Sequence, residues 1–283
     1  MSKSVTRRPA PVLRPFIDGY VGYRIDSAEP GVHRGLPSRH LTFIVSIGDP
    51  IDVVAQTDPR QPPDRYRFVA GGLQASAAAI ACGRHQEGVA VALTPLGSQA
   101  LLASPARALW NLSIEAADVI GPPAAELWER VNAAPTWDGR FAACDDVLLR
   151  LAGARRSRPP ATDDTLAAAW DLLVVTGGGI GVADLAAEVG WSRRHLANRF
   201  SGEFGLAPKL AARVVRFERA RRLLQRPARL SIATVAATCG YYDQPHLTRD
   251  FVELAGCPPG EWLATEFPSV QDDLAPGPAQ SGA

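Results

Sequence analysis

The sequence predicts an α+β protein: a mostly antiparallel N-terminal β domain with closing helices, then an all-α domain in which a long helix joins two helix-turn-helix units. Three observations carry this prediction. Short β-branched and aromatic runs between residues 40 and 93 are cut by Gly and Pro, the punctuation of strands. From Ala124 onward apolar residues recur at three- and four-residue spacing, the period of helices. A stretch near the C-terminus, Ser231 to Phe251, has a copy about 50 residues upstream.

Composition sets the bounds. A chain of 283 residues can bury two cores, and 46% hydrophobic against 21% charged residues places it among globular proteins. No apolar run approaches the ~18 residues that a membrane span needs. Met1-Ser2-Lys3 leads into Arg7-Arg8-Pro9 without an apolar segment, so no signal peptide is expected. The four cysteines, Cys82, Cys144, Cys239 and Cys257, are far apart and form no CxxC pair. They read as small buried hydrophobes of a reducing compartment, and a cytoplasmic protein without membrane contact follows.

Taken in order, residues 1 to about 15 are polar and Pro-rich and read as a loose lead-in. His40 to Ile47 is a strand ending at Gly48-Asp49-Pro50, and Ile51 to Val54 follows as its hairpin partner. Tyr66 to Ala70 is a strand stopped by Gly71-Gly72. Ala78–Cys82 and Gly88–Leu93 read as another close pair. Leu127 and Val131, then Phe141, Val147, Leu148 and Leu151, mark two helices closing this domain. The basic, Pro-rich stretch from Gly153 to Pro160 has no apolar stripe. The expected division is therefore a first domain over 1–152, a linker over 153–161, a second domain over 162–267 and a flexible tail over 268–283. Thr162 or Asp163 can cap the first helix of the second domain, which runs through Trp170 and stops at Gly177-Gly178-Gly179.

In the C-terminal stretch Ile232, Val235 and Ala236 form one buried stripe. Ser231 is its N-cap and Gly240 its stop. Asp243 can cap the next helix, with Pro245 in its first turn and Leu247 and Phe251 facing inward. This is helix-turn-helix grammar, whose second helix enters a DNA major groove. Upstream, Ile180, Leu185, Ala186 and Gly190 answer to Leu230, Val235, Ala236 and Gly240. After a one-residue slip in the turn, Leu196, Phe200, Gly205 and Pro208 answer to Leu247, Phe251, Gly256 and Pro259. Between the units Lys209 to Gln225 reads as one helix with Leu210, Val214, Phe217, Ala220 and Leu224 on one face and arginines over much of the rest. Such a connector would set the two reading helices roughly 34 Å apart, one turn of B-DNA.

The net charge of +1 divides unevenly along the chain. Arg193 to Arg229 holds 11 Lys and Arg against Glu203 and Glu218, a local balance of +9. From Cys239 onward one base, Arg249, stands against seven acids, a balance of −6. A basic block of this size is the footprint of a polyanion.

On these residues, positions 162–267 resemble the DNA-binding domain of the AraC/XylS family of bacterial transcription regulators. Gly240-Tyr241-Tyr242-Asp243-Gln244, Leu247 to Phe251, Gly256 and Pro258-Pro259 carry the resemblance, with Arg216, Ala220, Leu223 and Leu224 of the connector. Leu247 departs from the Phe of many members but keeps the apolar role. The β-then-helix order of the first domain, with Leu36 to Leu41 leading into Phe43-Ile44-Val45, resembles the effector or dimerisation domains of the family in a diffuse way.

The resemblance implies a sequence-specific regulator binding double-stranded promoter DNA, with a small-molecule effector or a homodimer controlling it and RNA polymerase as partner if it activates. No cofactor is implied. The family's base-reading positions fall on Arg194, Ala197 and Asn198. Arg suits guanine, Asn suits adenine, and Ala offers a methyl contact. Arg193 and Arg199 suit phosphates, and Ser192 as N-cap leaves backbone N–H groups for another. By the same geometry the second unit presents Gln244, Thr248 and Arg249. Its acid excess predicts the weaker grip. His195 and His246 share a repeat position and read as packing or capping groups, not metal ligands. Catalysis is not expected, because Cys82 and Cys144 lack a nucleophile-elbow context; His33, His40, His85 and Glu87 could line a metal site in a β barrel, but their spacing is nonspecific and ordinary surface or core histidines are the favoured reading. The competing reading is a first domain that only docks a partner protein, through Trp110, Leu112 and Leu127 to Val131.

Overall fold

The computed structural model describes residues 2–27, 29–155, 163–226 and 230–265. The first part is two antiparallel sheets with helices packed on them, and the second is a run of helices. In chain order the strands are β1 (Ser2–Arg7), β2 (Ile17–Asp26), β3 (Gly31–Gly35), β4 (Leu41–Ile47), β5 (Ile51–Ala55), β6 (Asp64–Tyr66), β7 (Phe68–Gly71), β8 (Ala78–Cys82), β9 (His85–Leu93) and β10 (Ser113–Glu115). One sheet has the order β1-β2-β9-β4-β7-β10, and the other β3-β8-β5-β6.

That order corrects the expected hairpins. β4 and β5 lie in different sheets, as do β6 and β7, and β8 and β9. Each pair is a corner at which the chain leaves one sheet for the other, so neighbours in sequence are not hydrogen-bonded partners. The run from Tyr66 to Ala70, expected as one strand, breaks at Arg67 for the same reason. Local patterning marks a strand, but pairing follows from which face each strand buries. In β4, Leu41, Phe43 and Val45 alternate into the core, where Phe43 meets Phe68 of β7 edge-on at 5.6 Å.

The lead-in is also corrected. Ser2 to Arg7 pairs without a break along β2, from Ser2 opposite Ile25 to Arg7 opposite Tyr20. An edge strand needs backbone partners more than apolar side chains, so its polar composition concealed it. Asp145 pins the segment that follows, accepting from Arg7, from the Ala10 N–H and from the Tyr20 hydroxyl, each at 2.9 Å.

The helices of the first part are α1 (Pro95–Leu102), α2 (Ala117–Ile120), α3 (Pro123–Ala133) and α4 (Trp137–Arg155). Leu127, Val131, Phe141, Val147 and Leu148 are all buried in the core. Of the apolar residues weighed as a partner-docking face, Leu127 and Val131 therefore point inward, whereas Trp110, Leu112 and Trp128 are half-buried. α4 continues through Arg155, so the first residues of the expected linker are helical; the remainder of that linker and the expected tail lie outside the described residues.

The second part comprises α5 (Asp164–Val175), α6 (Val182–Glu188), α7 (Arg193–Phe204), α8 (Pro208–Leu224), α9 (Ile232–Thr238), α10 (Gln244–Ala255) and α11 (Pro259–Thr265). It shares apolar core with the first part in two places. Phe200, Phe204 and Leu166 join the cluster that contains Leu101, Leu102 and Leu109. Leu36, from the loop before β4, joins Phe217, Leu247, Phe251 and Trp262.

Candidate nucleic-acid interface

The two helix-turn-helix units, α6–α7 and α9–α10, are built alike. Ser192 and Ser231 accept the N–H groups of His195 and Thr234 at 3.2 and 3.1 Å, and Asp243 accepts that of His246 at 2.8 Å. These caps satisfy donors that a helix start leaves open. The turns need left-handed backbone, and glycine supplies it: Gly190 has φ +71° and Gly240 has φ +75°. The exits match too, with Gly205 at +84° and Gly256 at +78° and a proline opening the next helix.

Each reading helix is held by an aromatic clamp. Leu196 and Phe200 of α7 are fully buried, with Phe200 stacked 5.8 Å from Trp170 of α5. In α10, Leu247 and Phe251 are equally buried, with Phe251 4.8 Å from Phe217 of α8 and 5.8 Å from Trp262 of α11. His195 sits edge-on to Trp191 at 4.6 Å, and His246 edge-on to Tyr241 at 5.1 Å. The histidines brace the turns from corresponding places, as their shared repeat position predicts.

What remains outside is polar. Ser192, Arg193, Arg194, Asn198 and Arg199 are exposed, and Ala197 is half-buried between them. Gln244 and Arg249 are exposed, and Thr248 is half-buried. The fold thus gathers the candidate residues of each unit on the outer side of one helix. Among the described residues Arg193 and Arg194 have no ion pair, whereas Arg199 pairs with Asp163 at 3.3 Å.

Part of the charge asymmetry read from the sequence is spent inside the protein, where four of the five arginines of α8 are buried or held by protein groups. Arg213 bonds Asp250 at 2.8 Å and also pairs with Glu253, both of α10. Arg216 donates to the Gly178 carbonyl at 2.7 Å and lies over the Tyr241 ring. Arg222 pairs with Glu218 at 2.9 Å, and Arg221 is 0% exposed. α8 runs between the two units and against the β domain, so it is covered on nearly every side. The described acids of the last segment are engaged as well: Asp243 caps α10, Asp250 and Glu253 take Arg213, and Glu261 faces Arg34 at 3.7 Å.

Sequence reasoning missed the junction with the β domain. The Arg39 N–H donates to the buried Glu218 carboxylate at 2.9 Å. Arg39 also reaches Asp18 at 3.2 Å, and the buried His40 ring bonds the same Asp18 oxygen at 2.7 Å. Burial works to raise the Glu218 pKa, but Arg39, His40 and Arg222 outweigh it and hold the carboxyl below its usual range. At the other unit Trp110 packs on the exit of α7, where a Cβ on Gly205 would come 2.8 Å from its Cβ, and Gln99 donates to Glu203 at 3.1 Å. One signal was available: Glu218 is an acid in the middle of an arginine-rich helix.

A helix-turn-helix domain model matches residues 185–265. Residues 185–265 are an AraC-type helix-turn-helix domain. The chain is accordingly a DNA-binding transcriptional regulator. Two crystal structures of ToxT from Vibrio cholerae O395 share its fold. One, bound to (E)-4-(8-methylnaphthalen-1-yl)but-3-enoic acid, is 11% identical with a TM-score of 0.51 over 93% of this chain and 98% of that one. The other is 11% identical with a TM-score of 0.50 over 95% and 99%. A search of the curated proteins finds no match. No helix among the described residues is long and apolar enough to cross a membrane.

Of the residues weighed for other chemistry, Cys82, His85 and Glu87 line one cleft, with His85 Nε2 3.6 Å from Glu87, while Cys144 and His40 lie elsewhere. His33 Nδ1 lies 2.7 Å from Cys82 Sγ, His85 faces Asp26 at 2.8 Å, and His40 is at the junction. Among the described residues no three His, Cys, Asp or Glu form a metal-binding group. Burial pushes the Cys82 thiol up to about 11 and the Cys144 thiol up to about 12, so both stay protonated and weakly nucleophilic at neutral pH.

Proposed function

We propose that this regulator reads its operator with α7 and α10 in two major grooves, and that the β domain controls the spacing of the two helices through the Arg39–Glu218 junction. The observation that carries the reading is the duplicated frame: in both units the caps, glycine turns and aromatic clamps bury one side of a helix and leave its polar side outward. Arg194 and Asn198 then read base edges, with Ala197 against a thymine methyl, while Arg193, Arg199 and the N-terminus at Ser192 hold phosphates. Gln244, Thr248 and Arg249 make the second, lesser set of contacts. The proposed DNA-binding domain spans 162–267 and the controlling domain 1–152.

Control by a small molecule completes the proposal. ToxT has been crystallised with an organic acid. In this chain a cleft of about 630 Å³ opens at the end of the β domain away from the junction, lined by residues that include Asp52, Arg65, Cys82, His85 and Glu87. A ligand there would act by favouring one setting of the sheets, and so of Leu36 and Arg39, over another. Repeated selection of bound duplexes from a random pool tests the DNA reading. Recovery of two half-sites about one helical turn apart is expected, and enrichment of no sequence would overturn it.

A further inference from the structure

Tyr242 is 93% exposed, the most exposed large apolar side chain among the described residues. It stands in the turn between α9 and α10, directly before the Asp243 cap. Its backbone is held on both sides. The Tyr242 N–H donates to His246 Nδ1 at 3.4 Å, and its neighbour Tyr241 is buried with Arg216 over its ring. The phenol is therefore an outward group on a rigid mount.

The comparison of the two units isolates it. In the first, Gly190 and Trp191 are followed at once by the cap Ser192. In the second, Gly240 and Tyr241 are followed by Tyr242 and then by the cap Asp243. Tyr242 is the residue by which the second turn is longer. The rest of the frame closes without it, so the ring adds nothing to the core. It lies at the start of α10 beside Gln244, where a groove-bound helix passes the sugar-phosphate backbone. Among polar side chains, tyrosine is a regular donor to phosphate. A neutral hydroxyl next in sequence to the Asp243 carboxylate can approach a phosphate without adding a further negative charge.

We propose that Tyr242 is a DNA-backbone contact of the second unit, its phenol O–H donating to a phosphate oxygen beside the groove that α10 enters. The proposal rests on the DNA reading above. It is tested with the full chain, using a duplex selected by the wild type and a scrambled duplex of equal length, at several NaCl concentrations. Tyr242→Phe should weaken binding to both duplexes by about three- to tenfold, the loss of one hydrogen bond. The salt dependence should be unchanged, since no charge is removed. The melting temperature of the free protein should also be unchanged, because the ring is exposed.

Equal binding by wild type and Tyr242→Phe would overturn the contact. So would a loss confined to the selected duplex, which would mean base reading, or a loss seen only with Tyr242→Ala, which would mean ring packing. If the wild type binds neither duplex, the DNA reading and this contact fall together. That outcome is distinct from a wild type that binds and variants that match it.

Discussion

At the scale of single residues, the interface turns on which cations are available. Of the eleven basic residues from Arg193 to Arg229, Arg213, Arg216 and Arg222 are engaged inside the protein, and Arg221 is buried. Arg193 and Arg194 stand exposed on α7, side by side, while α10 carries Arg249. Arg194→Ala should therefore cost about 1–3 kcal/mol of operator binding, and more than Arg249→Ala. A gel-shift titration giving the reverse order would defeat the claim of unequal roles. A second residue-scale prediction concerns His33, which burial holds down to a pKa of about 4 beside Cys82. The unfolded chain takes up this proton near pH 6.5 and the folded one only near 4. The stability that His33 contributes is full above about 6.5 and is lost as the pH falls toward 4. In urea melts across this range, His33→Gln should lose stability less steeply than wild type; parallel curves would refute the assignment.

Individual elements depend on backbone geometry that only some positions reveal. Gly178 and Gly190 both have left-handed backbone, at φ +74° and +71°. A Cβ at Gly178 would be driven into the Ala212 carbonyl of α8, whereas one at Gly190 meets nothing within 4 Å. Gly190→Ala should cost about 1 kcal/mol, the strain of the conformation, and Gly178→Ala more than ~2 kcal/mol, because α8 must also move. Chemical denaturation of the two variants separates these contributions, and equal costs would show that α8 yields freely. The same geometry explains why the helical half was legible. Caps, glycine stops and apolar stripes are local signals, and Ser192, Ser231, Asp243, Gly190 and Gly240 all act where the sequence places them. The strands were legible as segments, but β4 and β5 could not be seen to part at Gly48, because sheet membership is decided by distant partners.

For the whole molecule, the β domain and both helix-turn-helix units meet around α8. Leu36 enters the core of the second unit, Trp110 closes on the exit of the first, and Glu218 takes Arg39 between them. Glu218→Ala would leave the Arg39 N–H without its acceptor and remove the ion pair with Arg222, and should cost about 3 kcal/mol at neutral pH. Because the Glu218 pKa is held below its ordinary 4.5, its stabilisation is present above that pH and is lost as the pH falls through the lower, folded value. The gap between wild type and variant should therefore narrow below about pH 4.5. Calorimetry should also show the single transition of the wild type dividing as the halves uncouple; an unchanged melting profile would mean that the apolar contacts hold the junction by themselves.

The sequence by itself determined the helical half of this protein: two copies of one unit, their caps, their inward Leu and Phe, and the outward set from Arg193 to Arg199. Those features depend on neighbours three or four residues away, and such spacing is written in the chain. Only the tertiary structure decided which sheet each strand joins, that Ser2 to Arg7 is an edge strand, and that Arg213 of α8 faces Asp250 and Glu253. Those outcomes depend on residues tens of positions away. A charge count along the chain cannot tell a surface meant for DNA from charges that neutralise one another inside the fold.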